Sequence, residues 1–568
     1  MSFNIVVGVL FLFLCYLNGL SGSALFPRNP ARSNELSEIV ATSNGPVQGE
    51  ILITVEKNIS YASFNGIPYA KAPVGNLRFQ APVAVDNWKE VLDAAGQRQG
   101  CPQFGTEYIG DEDCLFLNVY TPQTKFDRDV IGLRPVMVWI HGGLFTMGSA
   151  NSSLFGPDFL LEEDVVVVYV NYRLGALGFL SLNHPNAVGN AGLRDQLLAL
   201  EWVQKNINKF GGDPDQVTIF GQGSGAVSVE LLTLSPKSAG LYRQSIAMSG
   251  APLNDWTISS MDKAVSNAHL LGSALNLTDF TSEDQFLDRL RRVPAQDIVT
   301  ATQKIVNMRN MKTPFDGLFK PVIEDEEVSE NPIVSGDLYS KYGLGEFHDR
   351  PHLMGFVNAE AAGLFPSTAG QFPGITDENA GEILDKLMEE VKSMKRPPKH
   401  LLDFFKRYEK IRSGGEVETK EKQKLINMAV QIASDFFYVS GIELVQIRRA
   451  MLTAPIYYYR NSFSLGGPEH TINGIKLDGV GHNDDLAQIF WMPSVNKNTI
   501  AVNSTSWTQR QIMVRLWTNF AKYGTPTLTG VADPLLSFKW PFSFVEKEYL
   551  ELSENITMKY DLPPLTIF

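Results

Sequence analysis

The chain has 568 residues, 44% of them hydrophobic and 11% aromatic, which is ample apolar material for a large core and not the composition of a disordered protein. A formal net charge of −13 would repel a polyanion, and no Lys/Arg run with interleaved aromatics offsets it, so no nucleic-acid partner is expected. Length alone leaves the domain count open, because one large α/β sheet can absorb this many residues.

In chain order, the first element is the apolar run Ile5 to Leu17, too short for a membrane span. Small residues suited to signal-peptidase cleavage follow it, Ser21, Gly22, Ser23 and Ala24. The expectation is a secretory signal over 1–23 and a mature chain over 24–568. Met1-Ser2-Phe3-Asn4 carries no Lys or Arg, so an uncleaved anchor is the alternative. No second long apolar segment is expected, and Tyr560 to Phe568 is too short and Pro-interrupted for a span or a GPI signal. The mature protein is therefore expected to be secreted and extracellular, without a membrane span. Asn58, Asn151, Asn276, Asn503 and Asn555 each open an Asn-x-Ser/Thr triplet, the acceptor for N-glycosylation. Of the three cysteines, Cys15 lies in the signal. An oxidising compartment would join Cys101 to Cys114, and two reduced buried thiols are the reading if the signal is not one.

Next come Pro/Gly-punctuated extended segments, Gly66 to Ala70 and Pro73 to Phe79, where no helix is expected. Val136–Ile140, Val165–Val170 and Val217–Phe220 are short β-branched and aromatic runs, each ending in a Gly- or Asn-containing loop. Such near-continuous apolar strands suit a sheet covered on both faces. Between the last two, Asp195 to Phe210 puts Leu197, Leu198, Leu200, Trp202, Val203 and Ile207 on a helical stripe, giving a βαβ unit. The charged stretch from Glu382 to Lys424 reads as exposed helices broken at Pro397-Pro398 and at Gly414-Gly415. No linker, repeat or low-complexity tract interrupts Gly45 to Leu562, so one α/β domain with a large, mostly parallel sheet is expected.

The segment richest in chemical meaning runs from Val217 through Phe220-Gly221-Gln222-Gly223-Ser224-Gly225-Ala226 into Val227–Leu232: strand, glycine-rich corner, helix. That is the setting of a nucleophile elbow, whose apex residue is strained and whose neighbours two before and two after must be small. Gly221 and Gly225 supply the small positions, which puts Gly223 at the apex. Making Ser224 the apex would place bulky Gln222 in the tight position.

Here the chain resembles the type-B carboxylesterase/cholinesterase family, secreted insect-type esterases among them. Those proteins typically read Phe-Gly-Glu-Ser-Ala-Gly where this chain reads Phe-Gly-Gln-Gly-Ser-Gly. The resemblance covers nearly the whole mature chain, through Glu112 to Tyr120, Asn171 to Gly175, Phe210 to Pro214 and Trp517 to Gly524. It implies the α/β-hydrolase fold. His141-Gly142-Gly143-Leu144-Phe145 matches the family's oxyanion loop, implying that the N–H groups of Gly143 and Leu144 would face a developing oxyanion. Leu144 departs from the usual Gly or Ala. Gly481 to Leu486 resembles the segment that carries the general base, implying His482. Gly355 to Glu360 matches the acid segment, implying Glu360 as its orienting acid. Ser224 opens the helix, where its N–H would join the oxyanion donors; substitution as nucleophile is the other reading. The short loop between Cys101 and Cys114 holds Phe104 and Tyr108 but no Trp, so the choline-ester specificity of cholinesterases is not expected.

A serine hydrolase without its serine forfeits on the order of 10⁶ in rate, about 8–9 kcal/mol of barrier. The expectation is a secreted family member without serine-hydrolase catalysis that binds a hydrophobic ester-like small molecule or an extracellular protein partner. The alternative is a weakly active ester hydrolase using His482 and Glu360 with Ser224 or an activated water. No metal and no cofactor is expected, since the histidines are scattered and the corner lacks the Lys-Ser/Thr of a phosphate loop.

Overall fold

The computed structural model describes residues 35–560, apart from 106, 127–131, 309–316, 368–374, 377, 394–398, 416, 467–468, 500 and 544–547. The expected signal, Pro397-Pro398 and the end of the chain from Leu562 onward lie outside the described residues.

The main sheet has strands β1 (Leu36–Ala41), β2 (Pro46–Ile53), β3 (Ser60–Pro68), β4 (Phe116–Thr121), β5 (Arg134–Ile140), β6 (Val166–Val170), β7 (Gly212–Gln222), β8 (Gln244–Met248), β9 (His352–Val357), β10 (Ile456–Asn461), β11 (Tyr549–Leu552) and β12 (Thr557–Lys559). Their order across the sheet is β1-β2-β3-β4-β6-β5-β7-β8-β9-β10-β11-β12. From β6 to β11 every pair is parallel, and antiparallel pairs flank that block on both sides. The βαβ reading between β6 and β7 is right in sequence but not in adjacency, because β5 lies between them.

Side-chain alternation sorts the core into two halves. Val136, Val138 and Ile140 of β5, with Val166, Val168 and Val170 of β6, face one cluster. They pack there with helices α1 (Ala191–Asn206) and α2 (Ser224–Leu234). Met137, Trp139, Val167 and Tyr169 face the other side. Those residues meet Ile512, Leu516, Trp517 and Phe520 of a helix spanning Thr505–Tyr523. Both faces of the sheet are thus covered, which is why these strands carry almost no polar positions.

Four sequence expectations need correction. Helix α1 begins at Ala191, before Asp195, and its last turn tightens into a 3₁₀ segment at Ile207–Phe210. Gly75–Leu77 forms a short 3₁₀ turn where extended chain was expected. A continuous helical run from Thr419 to Arg449 is long and apolar enough to cross a bilayer, although no such segment was expected; 61% of its apolar window is buried inside the protein. Between Glu382 and Lys424 the helices are present, namely α3 (Ala380–Lys392), α4 (Lys399–Arg412) and the start of α5 (Thr419–Ser434). They are amphipathic rather than exposed all round: Leu384, Leu387 and Val391 of α3 are buried.

Cys101 and Cys114 are joined in a disulfide, their Cα atoms 5.0 Å apart. Among the sequon asparagines, Asn58, Asn276, Asn503 and Asn555 are exposed and Asn151 is half-buried.

Candidate functional site

All the candidate residues lie beyond the C-terminal ends of the parallel strands, the edge where an open α/β sheet leaves room for a ligand. The loop after β5 carries His141 to Phe145, the corner after β7 carries Gly223, and the turn after β9 carries Glu360. His482 follows β10.

The β7–α2 corner is as tight as its glycines suggest. A Cβ added at Gly221 would stand 2.5 Å from the carbonyl carbon of Gly225, so strand and helix touch there. Gly223, between them, has φ 58° and ψ −123°, a conformation costly for a residue with a side chain. Its N–H donates to the Met248 carbonyl at 2.9 Å, which ties the apex to β8.

Glu360 and His482 come from segments far apart in sequence but are joined twice. The His482 N–H donates to the Glu360 carbonyl at 3.1 Å, and Nδ1 meets Glu360 Oε2 at 2.6 Å. The other oxygen of Glu360 accepts from the Val357 N–H at 2.9 Å, and the carboxylate is fully buried. Because an ionised carboxylate only accepts, the proton of this pair is assigned to Nδ1 and Nε2 carries the free lone pair. That is the orientation in which an acid holds a basic imidazole.

Nε2 faces Gly223. A Cβ added at that glycine would lie 2.8 Å from it. The lone pair is taken, however, by the side-chain amide of Gln222, whose Nε2 is 3.1 Å away. The ring of Tyr438 closes the other side of the imidazole, with centroids 4.8 Å apart.

The loop after β5 is bent through consecutive positive φ values at Gly143 (111°), Leu144 (54°) and Phe145 (61°). Two non-glycine residues in that region store strain. The Phe145 N–H donates to Ser224 Oγ at 3.3 Å, bringing the loop against the start of α2. The N–H groups of Gly143, Leu144 and Ser224 have no acceptor among the described residues. The Leu144 side chain is half-buried and packs against the core. His141 stacks on Tyr172 at 4.4 Å, and burial lowers its pKa to about 4, so it is neutral at physiological pH.

Ser224 therefore lies beside the candidate residues, with its hydroxyl turned to the loop at Phe145. No hydrogen bond among the described residues joins it to His482.

Residues 36–563 match the profile described as the Carboxylesterase family.

The chain belongs to the carboxylesterase family.

Its relatives include a juvenile hormone esterase of Heliothis virescens, 31% identical over 87% of each chain, and venom carboxylesterase-6 of Apis mellifera, 30% identical over 88% of each. The crystal structure of juvenile hormone esterase from Manduca sexta, with OTFP covalently attached, superposes with a TM-score of 0.74 at 28% identity. That match covers 93% of this chain and 97% of the other. The fold is the α/β-hydrolase fold in a single domain, with the mixed, mostly parallel sheet expected from the sequence.

Within this carboxylesterase-family site, two contacts were not anticipated from sequence. Gln222 stands out in sequence as a bulky neighbour of the apex and as a departure from the family's Glu, but nothing in its local pattern says that its amide reaches a histidine 260 positions away. Tyr438 lies in an aromatic run, Phe436-Phe437-Tyr438, that reads as core.

Proposed function

We propose that this carboxylesterase-family chain is an extracellular binding protein without serine-hydrolase catalysis, holding a hydrophobic ester-like molecule at the edge of its sheet. The observation that carries this reading is the pairing at the apex. Gly223 has no oxygen to attack a carbonyl, and the lone pair that would activate one is spent on Gln222. Covalent catalysis needs both a nucleophile and a free base. Glu360 holds the imidazole, but a held imidazole alone does not replace the missing step.

What survives suits binding. The unpaired N–H groups of Gly143, Leu144 and Ser224 are donors for an ester carbonyl oxygen, and ground-state hydrogen bonds of that kind bind without accelerating. A secreted place agrees with the bonded Cys101–Cys114 pair.

The test is titration of the secreted protein with medium-chain p-nitrophenyl esters, followed by both heat of binding and released p-nitrophenol. Saturable binding with the ester recovered intact is the expected result. Saturable turnover that disappears in His482→Ala would overturn the proposal and return the chain to the hydrolases. An absence of any ester binding would turn the search to an extracellular protein partner.

A further inference from the structure

We infer that Gln222, and not only the absent hydroxyl at position 223, keeps His482 out of service as a base, so that the site is closed by two residues acting together. This rests on the reading of the site as non-catalytic and deepens it.

A general base needs an unoccupied lone pair directed at the proton it will take. With Nδ1–H given to Glu360 at 2.6 Å, the only lone pair left on His482 is on Nε2, and the Gln222 amide donates to it at 3.1 Å. The amide cannot simply swing away. Gln222 is 1% exposed, and its Oε1 sits over the loop, 3.2 Å from where a Cβ on Gly142 would be. The ring is packed on by Tyr438, and the backbone that carries it is held close to Gly363, where an added Cβ would lie 2.7 Å from the His482 Cα.

The consequence at Gly223 is steric as well as electronic. A new Cβ there would stand 2.8 Å from Nε2, inside contact distance. A serine introduced alone must push back a ring that Gln222 is holding and must also compete with an amide for its lone pair. A glutamate at 222 removes that competition, because an ionised carboxylate has no hydrogen to donate. A methionine removes it without adding charge. In either case the nearest donor to Nε2 becomes the serine hydroxyl.

The experiment measures the rate of covalent labelling by a serine-directed fluorophosphonate in five proteins. These are the unaltered chain, Gly223→Ser, Gln222→Glu with Gly223→Ser, Gln222→Met with Gly223→Ser, and the Glu double variant carrying His482→Ala. Both double variants should label about tenfold or more faster than Gly223→Ser alone, the size expected for freeing one hydrogen-bonded lone pair and relieving the contact. His482→Ala should abolish the gain.

Equal rates for Gly223→Ser and the two double variants, whether fast or at background, would overturn the inference. A gain with glutamate but not with methionine would also overturn it, since the effect would then be charge rather than a freed lone pair. As a second readout independent of any engineered serine, ¹⁵N-histidine spectra should show the His482 Nε2 resonance moving in Gln222→Met. An unmoved resonance also overturns it. Ester turnover by the unaltered protein sinks the binding reading, whereas equal labelling rates sink only the role of Gln222 and leave the binding reading standing, so the two failures are distinguishable.

Discussion

At position 223 two costs coincide, a backbone conformation hostile to side chains and a histidine nitrogen in the space a side chain would fill. Glycine avoids both. Gly223→Ala is expected to destabilise the protein by about 1–3 kcal/mol, read from urea unfolding. Part of that cost belongs to the ring, since the added Cβ would lie 2.8 Å from His482 Nε2. In a His482→Ala background the penalty should shrink, and an unchanged penalty in both backgrounds would assign it wholly to the backbone. Gln222 shows the same interplay of local and distant causes. Its place at the end of β7 follows from the strand pattern, whereas its partner arrives from the loop after β10.

Among the elements, the helical run from Thr419 to Arg449 reaches the candidate site through Tyr438, whose ring packs on His482. Its middle, Asp435–Val439, is a π-helical turn, an insertion often found near functional sites. The carbonyls of Phe437 and Tyr438 accept from Trp256 Nε1 and Asn254 Nδ2, each at 2.7 Å. That anchors the turn and sets Tyr438 against His482. Ser434, one residue before the turn, accepts from the Ala361 N–H at 2.9 Å, tying the helix to the Glu360 segment.

Asp435 makes the same element sensitive to pH. Burial raises its carboxyl pKa to about 6, against the lowering effects of Gln431 and Arg460. The folded chain therefore binds this proton more tightly than the unfolded chain, whose value is 3.8. The group's contribution to stability rises as pH falls from about 6 to about 4 and is unfavourable above 6. His141 acts oppositely. Its folded value of about 4 lies below the ordinary 6.5, so its contribution is lost as pH falls through that window. Comparing Asp435→Asn with the parent at each pH cancels the His141 part. The variant should be more stable above pH 6 by a margin on the order of 3 kcal/mol, and the difference should close by about pH 4. A margin that does not change with pH would show that Asp435 titrates normally.

For the molecule as a whole, the sheet is covered on both faces, and the candidate residues gather beyond the C-terminal ends of its parallel strands. Asn58, Asn276, Asn503 and Asn555 stand exposed, free to meet the glycosylation machinery if the chain passes through a secretory pathway. Enzymatic deglycosylation of protein collected from the medium of expressing insect cells should lower its mass, and Asn→Gln changes at these positions should remove the shift stepwise. Protein retained inside the cells without any mass shift would count against the extracellular assignment.

The fold was legible, and the candidate residues could be nominated in chain order, because each rests on a local constraint. Apolar strands of four to six residues signal a sheet buried on both sides. Paired glycines two before and two after an apex signal a strand touching a helix, and Gly221 and Gly225 do touch. Gly223, Glu360 and His482 are nominated by motif, each motif describing the backbone around one residue, and the structure brings the three side by side. Other features depended on packing between distant segments. The insertion of β5 between β6 and β7, the burial of an apolar helix that could have spanned a bilayer, the turn of Ser224 Oγ toward Phe145, and the capture of the His482 lone pair by Gln222 are set by which surfaces meet once the chain has closed. A side-chain amide has no sequence signature for its acceptor. The sequence alone therefore determined the family and the sheet, while only the tertiary structure decided which groups meet the imidazole of His482, because those groups come from segments that touch only once the chain has closed.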